Sequence, residues 1–293
     1  MTIRDLRNYR GYDPGPEVAS LAFSREVVST AQDAQPTEAE AGRHTTAYTI
    51  AVTAPRSLTC KRGVAAHLAA SLAITNAHES VCVVDIDIES RDIGTRFGVE
   101  KPLLLDIAST LGSATVRTPI EQRLAHTSSG VAVLPTRPPA AALLPQFESK
   151  APAVVRALRS AFDFVVIDAP VGLGEAGWHT DILKSIDVLL VAVTADASAL
   201  GSALRYMHSL ASARNRGTLP STFATHVVLT GADDGSRTID DVDIARKLQG
   251  ISVLGSIPQL WGRQRPAGSL DRVEPTLANA LNAIVERAMT AET

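Results

Sequence analysis

The chain has 293 residues, 45% hydrophobic and 20% charged, with a formal net charge of −3. That is an ordinary globular composition with room for one large domain or two small ones, and it carries no global basic field of the kind that draws nucleic acid. Two cysteines, Cys60 and Cys82, make no disulfide framework and suit a reducing compartment.

The opening residues, MTIRDLRNYRGYDPGPE, lack the apolar core of a signal peptide. No run approaches the roughly 18 apolar residues of a membrane span. The expected location is the cytoplasm, with no membrane anchor. Residues 1–46 are rich in Pro, Gly, Ala, Glu and Thr without a sustained apolar period, which predicts a disordered or weakly structured tail. Within it LAFSREVV could form a short helix, and Arg4, Arg7, Tyr9, Arg10 and Tyr12 read as solvated.

From residue 47 onward short, continuously apolar runs recur. They are YTIAVTA (48–54), SVCVVDID (80–87), GVAVLPT (130–136), FDFVVIDAP (162–170), IDVLLVAVTA (186–195), THVVLTG (225–231) and ISVLGSIP (251–258). Continuous rather than alternating β-branched runs mark strands buried on both faces of a parallel sheet. Ala- and Leu-rich stretches of helical period lie between them, at 61–77, 150–160, 197–214 and 238–249. Strands alternating with helices predict a single α/β domain over 47–293, with a doubly wound, mostly parallel sheet flanked by helices. Such sheets bind ligands at the carboxyl ends of their strands.

Those strand ends carry the informative residues. The first strand leads into TAPRSLTCKRG (53–63), a loop, a Lys and then a helix. The second ends in VVDIDIE, with Asp85 and Asp87 two residues apart, so that strand alternation would point both the same way. The fourth ends in VVIDAPVGLGEAG, with Asp168 before Pro170. Carboxylates so placed can hold a hydrated Mg²⁺ beside phosphates, or they can cap neighbouring helices.

These segments resemble the MinD/ParA group of deviant-Walker P-loop ATPases over roughly residues 47–260. The resemblance rests on the loop with Lys61, the Leu68-Ala69 and Leu72-Ala73 pairs, VCVVDIDIE, FDFVVIDAPVGLGEAG, IDVLLVAVTADASAL and GSIP at 255–258. It implies a P-loop NTPase-like fold, ATP and Mg²⁺ as cofactors, and a role in placing cellular cargo such as division, partition or secretion machinery. It also implies residue roles. Lys61 falls on the Lys that contacts the β- and γ-phosphates, within a nucleotide-binding stretch of Arg56, Thr59, Cys60, Lys61, Arg62 and Gly63. Arg56 falls on the signature Lys that reaches across an ATP-sandwich dimer. Asp87 falls on the residue that positions the attacking water, and Asp85 and Asp168 on acids beside the metal, Asp168 holding Mg²⁺ through water. The Ala-, Arg- and Pro-rich character and DIGTRFG also resemble MinD-like proteins of high-GC actinobacteria.

The loop departs from that pattern. Pro55, Ser57, Leu58 and Cys60 stand where small residues, mostly Gly, are usual. A phosphate cradle needs inward N–H groups and approach without a Cβ, and Pro55 has no N–H. Arg62 occupies the place of the hydroxyl that ligates Mg²⁺, and Gly63 weakens the first helical turn. These departures predict a degenerate Walker A loop and a pseudo-ATPase that serves as a protein-interaction or positioning scaffold. Its partner would be a protein of unknown identity, and the chain itself a monomer or a nucleotide-independent dimer. Two alternatives stay open: a slow or atypical ATPase, and a binder of a different anion, since Lys61 and Arg62 at a helix start attract negative charge.

Other features are weaker. The histidines lack metal-ligand spacing, and His67 in the Ala-Leu helix reads as structural. Cys60 beside Lys61 and Arg62 would have a lowered thiol pKa. Arg263, Arg265 and Arg272 read as a solvated face, and the last helix, TLANALNAIVERAM, as packing on the domain.

Overall fold

The structure, a computed structural model, describes residues 47–55, 61, 63–89, 92–111, 118–230, 251–257 and 275–290. The expected helix at 238–249, the tail before residue 47, and Arg263, Arg265 and Arg272 lie outside the described residues.

Every apolar run named above forms a strand: β1 (Tyr48–Thr53), β2 (Val81–Asp85), β4 (Ala132–Leu134), β5 (Phe164–Asp168), β6 (Val188–Thr194), β7 (Ala224–Thr230) and β8 (Val253–Ile257). A two-residue strand, β3 (Ala125–His126), is added at one edge. The sheet runs β3-β4-β2-β5-β1-β6-β7-β8. All of these neighbours pair in parallel except β3 with β4. The described helices are α1 (Val64–Thr75), α2 (Asp92–Phe97), α3 (Leu104–Thr110), α4 (Leu144–Arg159), α5 (His179–Leu183), α6 (Ala197–Asn215) and α7 (Pro275–Thr290).

Both faces of the sheet are covered, which is why its strands are apolar without alternation. Ile50, Val52, Val83, Val166 and Leu190 pack with Leu68 and Leu72 of α1 and with Leu281 and Ile284 of α7. Ala51, Val84, Val165, Ile167 and Leu189 pack on the other side, with Phe147 and Leu158 of α4 and Tyr206 of α6. Helix α1 is buried continuously from Val64 to Leu72, sandwiched between the sheet and α7. Its small residues allow that close approach. Ser71 Oγ donates to Ala278 O at 3.0 Å, and Arg287 reaches Leu254 O. The last helix therefore packs on the domain, as its pattern predicts. Among the described residues no helix is long and apolar enough to cross a membrane.

Two boundaries differ from expectation. Helix α4 begins at Leu144, not near residue 150, because Pro145 sits in its first turn, where a missing N–H costs nothing. Helix α1 begins at Val64, not at Lys61, for a reason that belongs to the site.

Candidate functional site

At the carboxyl end of the sheet β2, β5 and β1 lie side by side. Register pairs Asp85 with Asp168 and Val52 with Asp168, so the ends of three separate sequence segments meet at one point. Asp168 is the last residue of β5 and Asp85 the last of β2.

Strand β2 is assigned as far as Asp85, and Ile86 N still donates to Asp168 O at 2.9 Å. Beyond it the Asp87 N–H donates to Asp85 Oδ1 at 2.9 Å, while Asp87 Oδ1 accepts from Glu89 N at 3.1 Å. These local side chain to backbone bonds take over where the ladder ends.

Lys61 points into this group. Its Nζ lies 2.6 Å from Asp87 Oδ2 and 2.8 Å from Asp168 Oδ1, and it donates to Ala169 O at 2.5 Å. Of the three donors an ammonium carries, two go to Asp87 Oδ2 and Ala169 O, while Asp168 Oδ1 is an ion-pair partner. Lys61, Asp85, Asp87 and Asp168 are all buried, Lys61 to 1% exposure. Burial alone pulls the Lys61 pKa down, but Asp168 and Asp87 outweigh it and hold the pKa above the ordinary value. Asp85 is different: burial and then the charge of Asp168 push its carboxyl well above the usual range. Its Oδ2 has no hydrogen-bond partner among the described residues.

Between Lys61 and the helix stands Gly63, with φ 77° and ψ −8°, a left-handed conformation. Side chains with a Cβ are disfavoured there by about 1–2 kcal/mol. The first helical bond, His67 N to Gly63 O at 2.9 Å, therefore forms only beyond it, and Lys61 is separated from the helix start at Val64. The His67 ring Nδ1 meets the same carbonyl at 2.8 Å, the structural role expected of it. The remaining residues expected at the site, Arg56, Thr59, Cys60 and Arg62, lie outside the described residues, as does Leu58.

The loop after β5 is fastened down from several sides. Thr53 Oγ1 donates to Pro170 O at 2.7 Å, Gly172 N donates to Ala54 O at 3.0 Å, and Tyr206 donates to Leu173 O at 2.5 Å. His179 Nδ1 accepts from Gly174 N and Ala176 N. Sequence reasoning missed Thr53 and Tyr206, which act on backbone atoms distant in sequence, and His179, which accepts from backbone N–H groups a few residues before it. It also missed Ala169, whose contribution is a carbonyl.

No protein-family model matches the chain, and no curated protein does. Solved structures do. The chain is similar to the septum site-determining protein MinD of Pyrococcus horikoshii, complexed with Mg-ADP, at 18% identity and a TM-score of 0.62, covering 84% of this chain and 97% of that one. The fold is that of the MinD and ParA ATPases. The MinC:MinD cell division complex of Aquifex aeolicus matches at 19% identity and a TM-score of 0.60, over 83% and 96% of the two chains. A ParA family ATPase of Chlorobium tepidum matches at 15% identity and 0.60, over 83% and 93%. The shared fold covers more than four fifths of this chain.

Proposed function

We propose that this chain is a MinD/ParA-like pseudo-ATPase, a scaffold that binds a protein partner and positions or regulates it without turning over Mg·ATP. The observation that carries the reading is the commitment of Lys61. Two of its N–H groups go to Asp87 Oδ2 and Ala169 O, and Asp168 Oδ1 lies beside the ammonium at ion-pair distance. Moving Nζ to a phosphate would leave two buried carboxylates without their cation, a cost of several kcal/mol for the charges alone.

The residues present do not fit Mg·ATP in this arrangement. Asp168 and Asp87 already share a cation, and Arg62 stands in sequence where the resemblance expects a hydroxyl ligand. Among the described residues no group of three or more His, Cys, Asp or Glu side chains is arranged to hold a metal ion. Asp85, Asp87 and Asp168 in this reading are structural acids, and Arg56 has no partner phosphate to bridge. The chain is a monomer or a dimer formed without nucleotide.

The test is direct. Phosphate release with Mg·ATP is expected at background, and calorimetry should give an ATP dissociation constant of about 1 mM or weaker. A steady-state rate near or above about 0.1 per minute that Lys61→Ala abolishes would overturn the reading. So would a shift from monomer to dimer on adding Mg·ATP, measured by sedimentation and lost in Arg56→Ala.

A further inference from the structure

Helix α6 carries no acid. From Ala197 to Ala232 the sequence has no Asp or Glu, while Arg205, Arg214 and Arg216 fall within it. Arg214 is turned inward: its guanidinium lies over the Phe223 ring at 4.1 Å and donates to Phe223 O and Thr225 Oγ1, each at 2.8 Å. Arg205 and Arg216 are exposed, and each folds back along the helix onto a serine. Arg205 donates to Ser202 Oγ at 3.1 Å, and Arg216 donates to Ser212 Oγ. Among the described residues neither has a carboxylate partner; Asp181 and Asp187 are taken by Lys184 and Arg159. Ser202 and Ser212 are ten residues apart, so the two guanidiniums sit about 15 Å from each other on one face. His208, Ser209 and Ala211 are exposed between them, and no large apolar side chain is. Such a face attracts carboxylates and offers no anchor to a hydrophobic segment.

The chain itself holds an acidic segment of the right length. Between Val27 and Gly42 the sequence has Asp33, Glu38 and Glu40 and no Lys, Arg or His. Asp33 and Glu38 are five residues apart, about 17 Å in an extended chain, which matches the separation of the two guanidiniums. The entry point sets the order. Ala47 N donates to Arg159 O at 2.9 Å, just before β1, and α6 ends over the start of β7, where Arg214 meets Phe223 O. Strands β1 and β7 flank β6, so two strand spacings, about 10 Å, separate them along the sheet. The nine residues from Glu38 to Ala47 reach up to about 30 Å. A chain traced back from Ala47 meets Arg216 before Arg205, in the order Glu40, Glu38, Asp33. We propose that residues 33–40 lie along the exposed face of α6, with Glu38 and Glu40 at Arg216 and Asp33 at Arg205. Exposed ion pairs are individually weak, so the contact adds little to thermal stability, and an acidic segment of another protein reaches this face only by displacing the chain's own. The inference goes beyond the pseudo-ATPase reading and does not depend on it.

The test uses amide chemical shifts of the full chain, measured by nuclear magnetic resonance in about 0.1 M NaCl. Arg205→Gln/Arg216→Gln changes only exposed side chains, so the fold is not at stake. It is expected to move the signals of residues 33–40 and to leave those of residues 1–20 in place. The reciprocal variant Asp33→Asn/Glu38→Gln/Glu40→Gln is expected to move the signals of Arg205, Ser209, Ser212 and Arg216. Raising NaCl to about 1 M shortens the screening length from about 10 Å to about 3 Å, and is expected to remove most of the difference between wild type and either variant. Signals of residues 33–40 that stay in place in Arg205→Gln/Arg216→Gln overturn the proposal. So does a change spread evenly over residues 1–46, which would report loss of a general attraction and not a seated segment. A change that grows with protein concentration also overturns it, because the acids would then lie on α6 of a second copy.

Discussion

His179 accepts a hydrogen bond from the backbone of Gly174 at 3.0 Å through the same ring nitrogen, Nδ1, that accepts from Ala176 at 3.2 Å. A nitrogen facing two donors cannot itself carry a proton, so the loop geometry requires neutral imidazole. Burial lowers the pKa of His179 to about 4, against about 6.5 in an unfolded chain. Between those values the unfolded state binds the extra proton. The contribution of His179 is therefore full above about pH 6.5 and is lost as pH falls toward 4, with a slope of up to about 1.4 kcal/mol per pH unit. His179→Gln keeps an acceptor and removes the titration. Urea midpoints measured from pH 7 to pH 4.5 should fall more steeply for wild type than for the variant, and parallel slopes would refute this.

Gly63 should resist substitution by its conformation alone. At φ 77° an Asn is tolerated better than an Ala. Urea denaturation is expected to rank stability as Gly63 above Asn above Ala, with Gly63→Ala costing about 1–2 kcal/mol. An Ala variant as stable as wild type would show that the helix start can relax into an ordinary turn.

Asp187 ties three segments together at the opposite end of the sheet. Its Oδ2 accepts from Thr49 N at 2.7 Å, and its carboxylate pairs with Arg159 at 3.1 Å. The ion pair is partly solvated, so Asp187→Asn, which can keep the bond to Thr49, should cost under about 1 kcal/mol. Asp187→Ala leaves the Thr49 N–H without that acceptor and should cost about 1–3 kcal/mol. Equal losses in the two variants, measured by chemical denaturation, would show that the charge and not the strand bond matters.

Deleting residues 1–44 is expected to leave the melting temperature nearly unchanged, because a Pro-, Gly- and Glu-rich stretch buries too little apolar surface to repay its ordering. A fall of about 10 °C would mean that the segment packs on the domain.

The strands were legible because burial on both faces writes itself into each run as continuous Val, Ile and Leu, and the acids were legible because they end such runs. The destination of Lys61 was not. Two of its partners lie just beyond the ends of β2 and β5, 26 and 108 residues away, and one of them is a backbone carbonyl. The two residues of β3 are too few to show a period. The start of α4 was hidden by a run of prolines at 135, 138, 139 and 145, in which Pro145 alone marks the first turn. His179 was passed over because its partners are N–H groups, which every residue but proline carries.

Strand β1 is held from both sides: Tyr48 to Val52 pair with β5, and Ile50 to Thr53 pair with β6. Its place in the sheet is fixed before the chain reaches Pro55. The sheet therefore does not depend on the sequence after Pro55 to position this strand. Exchanging the sequence of residues 56–60 for that of related ATPases, with the sheet left as it is, would ask whether nucleotide turnover depends on this stretch.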